Sequence, residues 1–253
     1  MRVVLFGATG MVGQGVLREC LRDDAVSQIV CVGRTPLELQ HPKIEGLVTE
    51  NLFGLARIEG ALRRLDACFF CLGVSSTMSE EDYRSLTYNL TLSVASVLAR
   101  VNPGMTFVYV SRAGTDSSER GKRIWARVKG ATENALLRLP FKAAFMFRPG
   151  IIVPLDGIQS KTPSYRDFYP VLDVLLPPLQ RLFPGAICTT RTIGLAMLEV
   201  ARHGAKSPIL RPGDIHAAAS RPRQHLRSTP QEKHDEDDHD SLHRRRVRGF
   251  PRP

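Results

Sequence analysis

Six short, largely apolar runs recur over the first 150 residues, at 3–6, 28–33, 44–48, 66–72, 105–110 and 143–147. A strand covered on both faces has no solvent side, so it reads as a continuous apolar run rather than an alternating one. Between the runs, apolar residues return at helical spacing over 11–21, 55–65, 79–101 and 122–139. Ser79, followed by Glu80, Glu81 and Asp82, has the chemistry of a helix start: a hydroxyl for the free N–H groups and acids beside the positive end of the dipole. Strands alternating with helices predict an α/β fold, a Rossmann-like doubly wound parallel sheet with right-handed crossovers. Such sheets bind ligands beyond the carboxyl ends of their strands.

The first run enters a turn punctuated by Gly7, Gly10 and Gly13, and a helix opens directly after it. Gly7 permits a sharp turn, Gly10 lets backbone approach a pyrophosphate, and Gly13 lets the helix pack close to the strand. Thr9 and the N–H groups at Gly10, Met11, Val12 and Gly13 then face the phosphates, with the helix dipole behind them. The spacing is G-x-x-G-x-x-G, and strand before and helix after supply the context that a glycine triplet alone lacks. The strand-end rule brings Leu72 and Gly73, Ser111 to Thr115, and Arg148, Pro149 and Gly150 to the same crevice.

At the end of the second run, where an acid would accept from the adenosine ribose of NAD, the chain reads Val32-Gly33-Arg34-Thr35-Pro36. Arg34 suits a 2′-phosphate instead, so the sequence favours NADP(H) over NAD(H).

Composition narrows the partners. A net charge of +10 raises the question of nucleic acid, but no basic run is interleaved with aromatics, which argues against it. No stretch has the roughly 20 apolar residues that span a bilayer, and no signal-like segment opens the chain, so the expectation is a cytoplasmic protein off the membrane. Of the five cysteines, Cys68 and Cys71 make a C-x-x-C, but inside a strand they point to opposite faces, and no metal site is expected.

Val110-Ser111-Arg112 with Thr115, then Trp125-Ala-Arg-Val-Lys129-Gly130, then Phe147-Arg148-Pro149-Gly150 complete a pattern over residues 1–210. With the glycine turn, it resembles the extended and atypical branches of the short-chain dehydrogenase/reductase family. More narrowly it is similar to bacterial NAD-dependent epimerase/dehydratase-like proteins and to Tat-interacting oxidoreductase relatives. The resemblance implies that Ser111 orients a substrate oxygen, with Thr115 its rival, and that Lys129 holds the nicotinamide ribose. It also implies that Arg148, Pro149 and Gly150 line the nicotinamide end, and that Asn89 supports a proton relay. It further implies a small-molecule substrate and a homodimer.

Trp125 stands where the family's proton-transferring tyrosine is expected. An indole N–H donates a hydrogen bond but has no usable pKa. Proton transfer then falls to Tyr83, Tyr88, Tyr165 or a water relayed through Lys129. Two functional readings follow: an NADP(H)-dependent oxidoreductase or epimerase/dehydratase-like enzyme, or a non-catalytic NADP(H)-binding redox sensor.

Three regions are expected: an NAD(P)-binding core over 1–150, a substrate lobe with a closing helix over 151–214, and a disordered charged tail over 215–253. The lobe is proline-rich and apolar, with a dimer face as the competing use of that segment; the tail is nearly free of aliphatic residues and cannot bury enough area to fold.

Overall fold

The structure, a computed structural model, describes residues 1–75, 77–158 and 187–221. Its strands are β1 Arg2–Phe6, β2 Gln28–Gly33, β3 Ile44–Val48, β4 Ala67–Phe70, β5 Thr106–Val110, β6 Ala143–Phe147, β7 Ile151–Val153, β8 Ile187–Thr189 and β9 Ile209–Leu210. Seven form one parallel sheet in the order β3-β2-β1-β4-β5-β6-β9, while β7 and β8 pair separately. The helices are α1 Met11–Leu21, α2 Glu80–Arg84, α3 Leu90–Val101, α4 Ile124–Leu136, α5 Thr190–His203 and α6 Pro212–Ala219.

Alternation along each strand feeds two cores. Val3, Leu5, Phe69, Val108, Phe145 and Phe147 pack against α1, α5 and α6 on one face. Val4, Phe6, Cys68, Phe70, Phe107, Tyr109 and Met146 pack against α3 and the end of α4 on the other. This is why the strands read as largely apolar runs: both faces are covered. Cys68 lies in one core and Cys71 packs against the other, so the C-x-x-C is divided by the sheet.

Glycine sets how close the helices come. A Cβ at Gly15 of α1 would lie 2.6 Å from Thr190 Cβ, and one at Gly194 of α5 would lie 3.1 Å from the Gly15 carbonyl oxygen. Any larger residue at these positions would push the two helices apart.

Four local expectations change. The helix expected over 55–65 is a single 3-10 segment, Ala56–Leu62, anchored by buried Leu62 and weakened as an α-helix by Gly60. The helix expected over 79–101 carries a π turn, Ser85–Asn89, between α2 and α3. Ser79 caps it, accepting from the Asp82 N–H at 3.1 Å. The short strands β7, β8 and β9 were not foreseen. The charged tail does not start at 215: α6 runs through it, with Ile215 and Ala218 buried. Pro212 opens α6, and Asp214 accepts from the Arg211 N–H at 2.9 Å, so the helix has both a start signal and an apolar face. The apolar segment over 159–186, including Tyr165, and the tail over 222–253 lie outside the described residues.

Candidate functional site

The order β3-β2-β1-β4-β5-β6 reverses direction between β1 and β4, and the glycine turn lies there. Gly7 has φ +84°, a conformation that L side chains rarely adopt. A Cβ on it would meet the Cys71 carbonyl at 3.0 Å and the Leu72 nitrogen at 3.1 Å. The Cys71 N–H donates to the Phe6 carbonyl at 2.9 Å. The glycine turn and the Leu72–Gly73 segment are therefore one continuous backbone floor.

Gly13 does what the sequence implied, through a specific contact: its Cβ would fall 2.0 Å from the Gly7 carbonyl oxygen. Gly10 donates to that same oxygen at 2.9 Å. Above the floor, a Cβ on Gly73 would meet nothing within 4 Å. Helix α1 begins without a side-chain cap and without an acid in its first turn. An open, glycine-lined backbone at an uncapped helix start fits a pyrophosphate by chemistry and by space. Arg34 is exposed just past β2, and its guanidinium makes no hydrogen bond or ion pair among the described residues.

The second half of the site is built on β5, β6 and α4. The Ser111 N–H donates to the Phe147 carbonyl at 2.7 Å, and the Ala113 N–H to the Pro149 carbonyl at 2.9 Å. The serine loop and the Arg148-Pro149-Gly150 turn are thus stitched together beyond the sheet. Gly130 lets α4 lie against this loop, since a Cβ there would be 1.8 Å from the Asp116 carbonyl oxygen.

Trp125, Lys129 and Glu133 follow one another at four-residue spacing along α4, and so share a face. The Arg112 guanidinium lies over the Trp125 ring, 4.5 Å from its centroid. The half-buried Lys129 donates from Nζ to the Tyr109 phenol oxygen at 3.2 Å and lies over that ring. Burial pushes the Lys129 ammonium down to about 8; nearby Glu133 opposes that, and Arg112 adds to it. Burial also raises the Tyr109 phenol well above its usual value, with Tyr83 and Glu133 reinforcing it.

Two predicted residues are less free than the sequence implied. The Thr115 hydroxyl donates to the Arg112 carbonyl at 2.7 Å, so its proton is committed. In the 3.1 Å contact between the two hydroxyls, Ser111 is then the donor. Ser111 must rotate away from Thr115 to donate to a substrate oxygen. Arg148 commits its guanidinium to an ion pair with the fully buried Glu133 and donates to the Ser117 hydroxyl oxygen. Its guanidinium is therefore not free for the cofactor role that the resemblance implied.

Among the tyrosines, Tyr83 is buried and feels Arg112, while Tyr88 is occupied beneath Arg84, 4.6 Å from the ring centroid. Asn89 is exposed. Tyr109 was missed because a strand aromatic reads as core. The signal was its place two residues before Ser111, the step that keeps a strand residue on the same face.

No family model matches the chain. Among curated proteins it is similar to the mitochondrial protein fmp52-2 of Aspergillus terreus, 24% identical over 64% of this chain and 70% of that protein. It is also similar to the mitochondrial protein fmp52 of Emericella nidulans, 28% identical over 59% of this chain and 66% of that protein. The matched segments thus span about two thirds of those relatives. Both are named as mitochondrial, so the cytoplasmic location expected from the sequence does not stand.

Among solved structures, the chain is similar to DesIV, a dTDP-glucose 4,6-dehydratase from Streptomyces venezuelae with NAD and TYD bound. That match has a TM-score of 0.62 at 14% identity and covers 83% of this chain and 75% of that one. A short-chain dehydrogenase/reductase family oxidoreductase from Burkholderia thailandensis matches with a TM-score of 0.60 at 15% identity, covering 85% and 92%. The chain has the Rossmann fold that the short-chain dehydrogenase/reductase and nucleotide-sugar epimerase/dehydratase structures share.

Proposed function

We propose that this chain is a nicotinamide dinucleotide-dependent enzyme, an oxidoreductase or epimerase/dehydratase-like protein, that takes NADP(H) in preference to NAD(H). One observation carries the reading most: the Gly7–Gly13 turn closes onto Leu72 at the β1/β4 switch point and leaves an open, glycine-lined cradle before α1. When bound, the nicotinamide supplies or accepts a hydride.

The residues of this chain do the rest. Backbone N–H groups at the start of α1, past Gly10 whose own N–H is taken by the Gly7 carbonyl, hold the pyrophosphate, and Arg34 pairs with a 2′-phosphate. Lys129 holds the ribose, and the backbone of Pro149 and Gly150 lines the nicotinamide end. Trp125, at the position of the family's tyrosine, moves no proton. The proton is held at Lys129 Nζ, whose pKa burial lowers to about 8, and the Tyr109 phenol oxygen accepts from that ammonium.

The test is NADPH oxidation with a panel of small carbonyl compounds, comparing the parent with Lys129→Met and Trp125→Tyr. The reading expects turnover by the parent and loss in Lys129→Met. Activity that appears only in Trp125→Tyr would contradict it and favour the second reading, a non-catalytic NADP(H)-binding redox sensor. Trp125 is the residue that speaks for that alternative.

A further inference from the structure

Of Arg112, Arg127 and Arg148, which lie on or beside α4, two have an acid. Arg127 pairs with Glu80 at 2.9 Å, and Arg148 pairs with buried Glu133. The Arg112 guanidinium makes no hydrogen bond or ion pair among the described residues; it is exposed and lies over the Trp125 ring. Asp116, in the same loop, turns its carboxylate to the Ser118 hydroxyl at 2.6 Å and the Gly121 N–H at 2.6 Å.

The position of this unpaired charge is as informative as its lack of a partner. Arg112 immediately follows Ser111, and its field reaches both Lys129 and Tyr83. Arg112 lies over Trp125 and Lys129 follows Trp125 by one helical turn, so two cations flank this side chain, while buried Glu133 is already taken by Arg148. Stacking orders the guanidinium in advance while leaving its N–H fork free, and that fork matches carboxylate and phosphate geometry. The site is distinct from the glycine cradle, which lies at the ends of β1 and β4 rather than β5.

We infer that Arg112, stacked on Trp125, is an anion clamp, and that the substrate is a small carbonyl or hydroxyl compound bearing a carboxylate or phosphate beside the reacting carbon. This rests on the proposed function for the reaction but not for the binding site, which can be probed without dinucleotide. It also gives Trp125 a use that a tyrosine would serve less well, since indole is the strongest cation–π face.

Trp125 is the only tryptophan in the chain, so its emission reports on Arg112 directly. The experiment titrates the full chain with pyruvate against methyl pyruvate, and with dihydroxyacetone phosphate against dihydroxyacetone, at matched ionic strength. The heat of binding is read in parallel, in case a variant silences the reporter. A saturable response to one or both anions and none to their neutral counterparts is expected, and the arm that responds separates carboxylate from phosphate.

Arg112→Gln should weaken that affinity roughly 10- to 100-fold, the scale of hydrogen bonds to charged groups, with melting unchanged. Arg112→Lys should retain part of it. Equal responses to charged and neutral members, parental affinity in Arg112→Gln, or no response to any of the four would each overturn the clamp. Energy transfer from Trp125 to NADPH, measured on the same sample, tests the dinucleotide reading separately.

Discussion

The ammonium of Lys129 on α4 donates to the phenol oxygen of Tyr109 on β5 at 3.2 Å. The phenol of this pair comes from the sheet and not from the helix position four residues earlier. Tyr109→Phe keeps the ring and removes the acceptor, so the charged form of Lys129 loses support and its pKa should fall further below about 8. Stability should drop by only about 1 kcal/mol, the net value of one hydrogen bond. An NMR titration of isotope-labelled Lys129 in both proteins checks this; an unchanged midpoint would show that the phenol does not hold the ammonium.

Lys129 also makes stability depend on pH. Its pKa lies near 8 in the folded chain, against 10.5 as the ordinary value. Between those two pH values the unfolded chain binds the extra proton, so stability should rise with pH across that window. Below about pH 8 the cost of the half-buried charge is fully present. Urea unfolding at steps from pH 7.5 to 10 should show this rise in the parent, and a flatter profile in Lys129→Met.

Glu133 lies one turn past Lys129 and neutralises Arg148 in a fully buried position. Glu133→Gln leaves that guanidinium without its anion, which costs about 3–5 kcal/mol. Melting temperature should fall by roughly 10 °C for a domain of this size. Replacing both partners, Glu133→Leu with Arg148→Met, should cost clearly less, because no unpaired charge remains. Thermal unfolding of the single and double variants separates the two cases.

Much of this molecule was legible in the sequence, for reasons visible in particular residues. Five of the six longer strands announced themselves because each is buried on both faces, as Val4 and Leu5 of β1 show by packing on opposite sides; β3, at the sheet edge, has no buried residue. The glycine turn was legible because Gly7, Gly10 and Gly13 converge on one carbonyl that tolerates no side chain. The strands β7, β8 and β9 are two or three residues long and carry no period of their own. Helix α6 was hidden because its buried pair, Ile215 and Ala218, adjoins a charged tail that dominates any compositional window. In the site, no local signal pairs Arg148 with Glu133 or Lys129 with Tyr109; 15 and 20 residues apart, they meet only through the β–α packing.

Gly13→Ala should damage the cradle. Its Cβ would sit 2.0 Å from the Gly7 carbonyl oxygen, a backbone atom that cannot turn aside. Helix α1 must shift, at about 1–3 kcal/mol for an overpacked position, and dinucleotide binding should be lost. Gly46→Ala, with nothing within 4 Å of its Cβ, is the matched control and should bind as the parent does. Chemical denaturation and NADPH titration of both variants decide the matter.

The most direct test is a calorimetric titration of the protein with NADPH and then with NADH, followed also by energy transfer from Trp125, and repeated on Arg34→Ala. The account predicts saturable NADPH binding, weaker NADH binding, and an Arg34→Ala protein that loses the difference. No binding of either dinucleotide would contradict it, and would leave the glycine turn as a purely structural device.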